Sequence, residues 1–340
     1  MYGLRNLGAT CYMNATLQAL ANCPRFHAIV KVLAKVFHGD NKFYVIRLLG
    51  EIFGHIYGTR PVEHSEDLMQ AFLAILAERN VWNKPSSMQC DAHEFTITLL
   101  RHIEECCAAM SQKDANNRVD EALANGDITN DEVAVLADAE VYLPKGDLAC
   151  PVKVNHGFTV AYQVLGCRLA DGRPCGEQFV MGSDDRSNCI PVDVEAKDLP
   201  NGIGAWSRTT VDYRLEDNQY GQVLKEIKIF GCPNYLIFLI NRFSKSGQKD
   251  NNQFDFGRNL DIPTIEGDVP YELRSVVSHH GGPDSGHYEC FQVVGGEMQA
   301  MNDSYVRWCT DAEISDLCGD GTHKMNAYML IYSKSKADSS

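Results

Sequence analysis

The chain has 340 residues, of which 44% are hydrophobic and 22% are charged, and its formal net charge is -14 at pH 7. These proportions are typical of a globular protein and exclude a disordered or fibrous chain, while the negative charge disfavours nucleic acid and favours basic partners. No apolar run approaches the roughly 20 residues of a membrane span, and thirteen scattered cysteines favour reduced thiols, which we expect in the cytoplasm or nucleus.

Helical periodicity comes first along the chain. Met13, Leu17 and Leu20 recur at steps of four and three before Pro24, which predicts a helix over residues 10–23. The first turn of a helix offers unpaired backbone N–H groups and the positive end of the helix dipole, which together favour a thiolate. A cysteine at this position, Cys11, is therefore a candidate nucleophile.

Further helices are predicted over residues 65–79 and 91–106, and the acidic stretch 111–148 is expected to form short helical pieces on loops. From residue 157 onward apolar and polar side chains alternate as in a half-buried strand, and the continuous apolar run 235–240 is typical of a central strand. Helices followed by strands predict an α+β architecture rather than a doubly wound α/β fold.

The surroundings of Cys11 in the sequence favour catalysis over simple packing. Gly8 and Asn6 precede it at a loop-to-helix junction, where backbone donors and an amide side chain can form an oxyanion hole. A thiolate there could attack a carbonyl carbon, provided that an imidazole removes the thiol proton and later protonates the leaving amine. The chain has eleven histidines, so composition alone does not select that base.

A series of short motifs extends from Gly3 to Tyr332. They read GLRNLGATCYMN at 3–14, QCDAHEF at 89–95, LINRF at 239–243, YELRSVVSHHG at 271–281, GHY at 286–288, MNDSYV at 301–306 and AYMLIY at 327–332. In this order they resemble the motifs of the ubiquitin-specific proteases, which are papain-like cysteine deubiquitinases.

The resemblance implies a papain-like fold with a helical thumb, a β-rich palm and β-ribbon fingers. On this plan residues 1–150 form the thumb with the nucleophile helix and an acidic insertion, residues 151–230 form the fingers, and residues 231–340 form the palm. The implied reaction is thiol-dependent cleavage after the C-terminal glycine of ubiquitin in conjugates and chains. A protease for a ubiquitin-like modifier and a catalytically silent ubiquitin-binding scaffold stay open as alternatives.

Matching positions imply the catalytic roles. Cys11 is the nucleophile, His287 is the base, Asn302 orients the imidazole, and Asn6 donates to the oxyanion. Asp303 is a competing candidate for the third role, because a carboxylate would also stabilise the imidazolium. Since successive side chains of a strand point to opposite faces, we expect Asn302 rather than Asp303 to face His287.

Substrate contacts are also implied by the resemblance, at Gln89, Asp91, Glu94, His279, Gly286 and Tyr288. Asp91 and Glu94 lie at i and i+3 on one helix face, and carboxylates suit the arginines of a basic ubiquitin tail. Residues 279–285 are predicted to form a loop just before His287, which the resemblance places beside a narrow channel for the Gly-Gly tail.

The sequence departs from the family pattern at a few positions. Many members bind structural zinc through two CxxC pairs, whereas no two cysteines here are separated by two residues. We therefore predict no zinc and no other cofactor, and we expect a monomer whose partners are ubiquitin and ubiquitinated proteins. Ala9 and Cys90 replace an asparagine and a second glutamine, but neither position supplies the nucleophile or the base.

Overall fold

The structure is a computed structural model that describes residues 1–59, 65–144, 146–181, 185–214, 220–244, 247–282, 285–317 and 325–335. The helices are α1 (Cys11–Ala21), α2 (Pro24–Val36), α3 (Tyr44–Tyr57), α4 (Ser65–Glu78), α5 (Ala92–Ala108), α6 (Gln112–Ala124), α7 (Asn130–Asp138), α8 (Leu199–Ser207) and α9 (Asp311–Leu317). Within these described ranges, no helix has the length and apolar composition needed to cross a membrane.

The strands follow mainly in the second half of the chain. They are β1 (Val160–Ala170), β2 (Arg173–Pro174), β3 (Phe179–Val180), β4 (Asp185–Ser187), β5 (Ile190–Asp193), β6 (Arg208–Arg214), β7 (Tyr220–Gly231), β8 (Tyr235–Asn241), β9 (Asn259–Thr264), β10 (Gly267–Gly281), β11 (Gly286–Val294), β12 (Glu297–Asn302), β13 (Tyr305–Trp308) and β14 (Met325–Lys334). The predicted α+β class is confirmed.

One compact unit comprises Met1–Gly157 and Arg274–Ile314. Helix α1 lies in its core: every residue of the helix is buried, and it packs against α3, α5, β11 and β12. Buried polar groups need hydrogen-bond partners, and Thr16 in α1 meets this need by donating to the Ala92 carbonyl. The nucleophile therefore stands at the end of a helix that is enclosed on several sides.

The strands of this unit form an antiparallel meander. The end of β10 pairs with β11, β11 with β12, and β12 with β13. In the β10–β11 register His280 is opposite His287 and His279 is opposite Tyr288. Because side chains alternate between the faces of a strand, His287 and Tyr288 project to opposite sides of the meander.

The other compact unit comprises Phe158–Leu273 and the described residues from Ser315 onward. Its long strands β1, β7 and β6 pair antiparallel, while β8 pairs antiparallel with β14 and parallel with β5. The run predicted as a central strand forms β8, which is largely buried. Arg242 of the LINRF motif is 1% exposed and donates to the carbonyls of Ala327, Asp250 and Asn252.

The predicted helices are present with small shifts at their ends. The helix predicted over residues 10–23 is α1 (Cys11–Ala21), and Pro24 is the first residue of α2, so it both follows the first helix and begins the next. The acidic stretch contains two regular helices, α6 and α7, and α7 begins with a capping box of Thr129 and Glu132. The division into thumb, fingers and palm stays a prediction.

Candidate active site

Cys11 and His287 lie far apart in the sequence but meet where α1 packs on β11. The interaction of its ring with the Cys11 side chain is the largest cause that raises the pKa of His287 to about 9, from an ordinary value of 6.5. The bond to Asn302 and the charge of Asp303 act in the same direction, while burial opposes them. The site therefore favours an imidazolium beside the sulfur.

Asn302 orients the imidazole. Its Oδ1 lies 2.8 Å from His287 Nε2, and since an amide oxygen only accepts, Nε2 must carry the proton of this bond. The other ring nitrogen, Nδ1, is then the one left for Cys11. The nearest carboxylate oxygen of Asp303 lies 3.9 Å from Nε2, so the amide makes the closer contact with the ring.

Asn302 makes the closer contact with His287, as expected, but strand alternation does not turn Asp303 away from the ring. Asn302 is the last residue of β12, and Asp303 lies in the following turn with a φ of +50°, in the left-handed region. Strand alternation ends at Asn302, so both side chains lie on the His287 side. Asp303 binds Asn6 Nδ2 at 3.0 Å and Asn14 Nδ2 at 2.7 Å.

Asn6 is held in place by its neighbours in the nucleophile loop. Its Oδ1 accepts from the backbone N–H groups of Gly8 (2.9 Å) and Thr10 (3.2 Å). Its Nδ2 donates one proton to Asp303. An amide nitrogen has two protons, which leaves a second donor for a substrate oxygen.

The backbone of the nucleophile loop requires a glycine. Gly8 has a φ of +131°, which other residues rarely adopt, and a Cβ there would lie 3.0 Å from the Ser86 carbonyl oxygen. That same oxygen accepts the Ala9 N–H at 2.6 Å. The segment that precedes α5 therefore supports the loop that presents Cys11.

The QCDAHEF motif places Gln89, Asp91 and Glu94 at the start of α5. Gln89 Oε1 lies 3.9 Å from Cys11 Sγ, next to the reacting atom. Asp91 is the N-cap residue of α5, and its Oδ1 accepts the Glu94 N–H at 2.7 Å, while the Glu94 side chain is exposed. Their contacts with substrate stay predictions.

Comparison with known proteins identifies the family. The family model named ubiquitin carboxyl-terminal hydrolase matches residues 2–332. The chain belongs to the ubiquitin carboxyl-terminal hydrolase family. The resemblance inferred from the motifs is thus confirmed over nearly the whole chain.

Relatives of this chain share about a quarter of its residues. Ubiquitin carboxyl-terminal hydrolase 7 of Caenorhabditis elegans is 24% identical over 359 residues, which cover 98% of this chain and 28% of the relative. Ubiquitin carboxyl-terminal hydrolase 8 of Saccharomyces cerevisiae is 24% identical over 364 residues, which cover 97% of this chain and 70% of the relative. The chain thus spans little more than a quarter of the nematode relative.

Solved structures confirm the predicted fold. The SAGA Ubp8/Sgf11/Sus1/Sgf73 deubiquitinase module bound to ubiquitin aldehyde is similar to this chain with a TM-score of 0.69 at 20% identity, covering 99% of this chain and 70% of that chain. A likeness at this identity concerns the fold.

Three residues predicted to bind substrate, His279, Gly286 and Tyr288, take part in packing within the fold. His279 and Tyr288 are 4% and 6% exposed, and their ring centroids lie 4.5 Å apart. A Cβ at Gly286 would lie 2.2 Å from His279 Nε2. The Tyr288 hydroxyl bonds the backbone of Ala92, and burial is the main cause that raises its pKa well above the ordinary value.

The segment before His287 differs from its predicted loop. Strand β10 continues to Gly281 and β11 begins at Gly286, so His279 belongs to a strand. A run of apolar and β-branched residues comes just before the two histidines, and strand β10 continues through this run and the histidines to Gly281. Residues 283 and 284 of the predicted loop lie outside the described residues.

Sequence reasoning missed several residues that support the site. Asn14 and Gln18 lie three and seven positions after Cys11, on the same helix face, and donate to Asp303 Oδ1 (2.7 Å) and to its backbone carbonyl (2.9 Å). Glu289, two positions after His287 on β11, accepts from Asn302 Nδ2 at 2.8 Å. The helical and strand periods could have identified all three.

Cysteines of the predicted fingers lie near backbone carbonyl groups. Cys167 Sγ lies 3.9 Å from the Cys175 carbonyl oxygen and 3.7 Å from that of Gly176. In the part of the chain that the structure describes, no group of three or more His, Cys, Asp or Glu side chains is arranged to hold a metal ion. The residues present there do not fit the structural zinc of many family members.

Proposed function

We propose that this chain is a thiol-dependent deubiquitinase that cleaves the isopeptide or peptide bond after the C-terminal glycine of ubiquitin. The observation that carries the proposal is the contact series from Cys11 through His287 to Asn302, in a chain matched by the family over residues 2–332. A nucleophile, a base and an amide that orients the base are the parts that such a reaction requires.

The reaction begins with the Cys11 thiolate, formed when His287 takes the thiol proton. The sulfur attacks the carbonyl carbon of the terminal glycine, and the C–O π electrons move to the oxygen of the tetrahedral intermediate. Asn6 Nδ2 and the backbone N–H groups at the start of α1 donate to that oxygen. When the C–N bond breaks, the His287 imidazolium protonates the leaving lysine amine and a thioester is left.

The thioester is then hydrolysed by the same groups. Neutral His287 takes a proton from water as the water oxygen attacks the acyl carbon. The C–S bond breaks, the sulfur electrons return to Cys11, and ubiquitin leaves with a free carboxylate. Asn302 keeps the His287 ring in one tautomer throughout, because its Oδ1 accepts from Nε2 in both steps.

Asn6 is the residue whose oxyanion role can be tested most directly. Losing one oxyanion donor typically lowers kcat by about 100-fold to 1,000-fold, and we expect this of Asn6→Ala. Asn6 also binds Gly8, Thr10 and Asp303, so thermal unfolding of the variant must be measured alongside kcat. A variant that unfolds like the wild type and retains full kcat would exclude the oxyanion role.

The choice of ubiquitin as substrate has four supports. The family is named for ubiquitin, and a structure with the same fold has ubiquitin aldehyde bound. The net charge of -14 and the carboxylates of Asp91 and Glu94 suit a basic tail. Gln89 lies beside the sulfur, where the end of such a tail must arrive.

Hydrolysis of ubiquitin that carries a C-terminal fluorophore tests the proposal. The wild type should release the fluorophore and Cys11→Ala should not, while replacement of the exposed Cys150 by serine serves as a matched thiol control with unchanged rates. The same fluorophore on ubiquitin-like modifiers decides between ubiquitin and its relatives. No release from ubiquitin, with release from another modifier, would contradict the proposed substrate.

A ubiquitin-binding scaffold without turnover is the alternative from a different class. Ubiquitin with a C-terminal electrophile should attach covalently to Cys11 of the wild type and not to Cys11→Ala. Binding without attachment would favour the scaffold. The interactions of His287 with Cys11 and with Asn302 argue for the enzyme.

The remaining properties that we propose concern the state of the protein. The thiol chemistry suits a reducing compartment, the cytoplasm or the nucleus. We also propose a monomer without bound zinc. Light scattering coupled to size exclusion gives the mass in solution, and elemental analysis of the purified protein gives its metal content.

A further inference from the structure

Glu289 is a partly buried carboxylate that the steps above do not use. It follows His287 by two positions on β11, so both side chains project from the same face of the strand. Across the β11–β12 pair Cys290 is opposite Met301, and continuing this register by one residue brings Glu289 opposite Asn302. Glu289 therefore stands beside both partners of the contact between the imidazole and the amide.

Glu289 fixes which end of the Asn302 amide faces His287. Its Oε1 accepts from Asn302 Nδ2 at 2.8 Å, while Asn302 Oδ1 lies 2.8 Å from His287 Nε2. A half-turn of the amide would exchange its oxygen and nitrogen and present N–H to Nε2. An ionised carboxylate only accepts hydrogen bonds, so Glu289 holds the nitrogen and disfavours the exchanged arrangement.

The other charged groups around Glu289 leave this contact intact. Burial raises the pKa of Glu289, and the positive charges of His287 and Arg307 oppose that rise, while Asp303 and Glu313 add to it. The guanidinium of Arg307 is itself bound by both carboxylate oxygens of Glu313. Of these charged groups, His287 lies on β11 and Asp303 in the turn after β12, while Arg307 lies on β13 and Glu313 in α9.

We propose that Glu289 is a positioning residue that acts through Asn302 to hold His287 in the orientation and tautomer that Cys11 requires. The alternation of side chains along β11 places Glu289 on the same face as His287. Its hydrogen bond to Asn302, across the strand pair, is the contact through which it acts. The turnover assay for this role rests on the proposed function, because it uses ubiquitin as substrate. A second measurement, the NMR titration of His287, needs no ubiquitin.

A double-mutant cycle tests whether Glu289 acts through Asn302. With ubiquitin-fluorophore as substrate, Glu289→Ala should lower kcat by about tenfold at unchanged KM. In the Asn302→Ala background the same substitution should cause no further loss, because its target is gone. Equal fold losses in both backgrounds would overturn the proposal.

Matched variants separate positioning from folding. Glu289→Gln keeps the volume and one acceptor oxygen but loses the charge, so its kcat should lie between those of the wild type and Glu289→Ala. Glu297 lies at the far end of the same strand pair and is exposed, so Glu297→Ala should behave as the wild type. Thermal unfolding is measured for every variant, and Glu289→Gln carries the test if Glu289→Ala does not fold.

Titration of the His287 ring by NMR provides the second readout. Removing the group that directs Asn302 Oδ1 toward Nε2 destabilises the imidazolium, so the His287 pKa should fall by about one unit in Glu289→Ala, and by less when the same substitution is made in Asn302→Ala. A packing defect elsewhere would not produce this shift. An unchanged or higher pKa would overturn the proposal, and because no ubiquitin is used, the result stands even if the chain fails to hydrolyse ubiquitin.

Discussion

Strand β11 presents two surfaces with different roles. On one face, His287 and Glu289 are partly exposed and face Asn302. On the other, Tyr288 and Cys290 are 6% and 0% exposed and belong to the interior. Residues that are neighbours in a motif are therefore divided between chemistry and packing by the alternation of the strand, and each face can be tested separately.

Replacing His287, on the face of β11 that it shares with Glu289 and that we call the catalytic face, should have the largest effect on activity. His287→Ala removes the group that accepts the thiol proton and protonates the leaving amine, and loss of such a group typically costs about 100-fold to 10,000-fold in rate. The side chain is 25% exposed and bonds Asn302, so some stability is lost with it. We expect kcat to collapse while the unfolding temperature falls only modestly, so that the variant is still folded in the assay.

A second histidine serves as the control for this prediction. His38 follows α2, is exposed and hydrogen-bonds the Lys35 carbonyl oxygen. His38→Ala should retain wild-type kcat and KM. Retention of activity by His287→Ala would show that the base has been assigned wrongly.

Substitution on the buried face of β11, which carries Tyr288 and Cys290, should instead destabilise the fold. Truncating a buried aromatic side chain typically costs about 3 to 5 kcal/mol, so Tyr288→Ala should lower the free energy of unfolding by that amount in a denaturant titration. Tyr288→Phe keeps the ring against His279 and loses only the hydroxyl bond to the Ala92 backbone. We expect a loss of about 1 kcal/mol from it.

The same pair of variants decides the predicted substrate role of Tyr288. If the side chain bound the ubiquitin tail, Tyr288→Phe would raise KM at unchanged stability. The packing seen on this face predicts the reverse, a loss of stability with KM retained. Either result is read from one denaturant titration and one saturation curve.

The pH dependence sharpens the description of the catalytic face. A pKa of about 9 for His287, above the ordinary 6.5, means that folding favours the imidazolium. The stabilisation of the fold by protonated His287 is fully present below about pH 6.5 and is lost as the pH rises through about 9. Since protonation of the leaving amine needs the imidazolium, kcat/KM should fall over that interval.

Removing Cys11 should shift this titration. Its contact is the largest cause of the raised pKa, so in Cys11→Ala the pKa of His287 should fall from about 9 toward the ordinary value. The ring resonances in an NMR titration give that pKa directly. A value still near 9 in the variant would mean that Asn302 and Asp303 alone stabilise the imidazolium.

Periodicity and motifs predicted much of this unit from the sequence. The steps between Met13, Leu17 and Leu20 gave α1 nearly to the residue, and the motif order gave Cys11, His287 and Asn302 as partners. These features are local or repeat at a fixed period, so they are visible without a structure.

Other parts of the site depend on contacts that a linear pattern does not contain. The left-handed backbone of Asp303 ends the alternation on which its predicted orientation relied. Tyr288 lies within a catalytic motif, but the structure packs its ring against His279 across the strand pair. Long-range partners such as Asn6 and Asp303 become neighbours only when the nucleophile loop meets the turn after β12.

The smallest effects are expected at the start of α5, where a capping role and a charge role can be separated. Asp91→Ala removes an N-cap and should cost about 1 kcal/mol of stability, whereas asparagine caps as well as aspartate, so Asp91→Asn removes only the charge. Glu94 is exposed, and Glu94→Ala should leave stability unchanged and raise KM for ubiquitin by a few-fold at low salt, an effect that salt weakens. If Asp91→Asn raises KM in the same salt-dependent way, both carboxylates face the basic tail; if only Glu94→Ala does, Asp91 serves the helix alone.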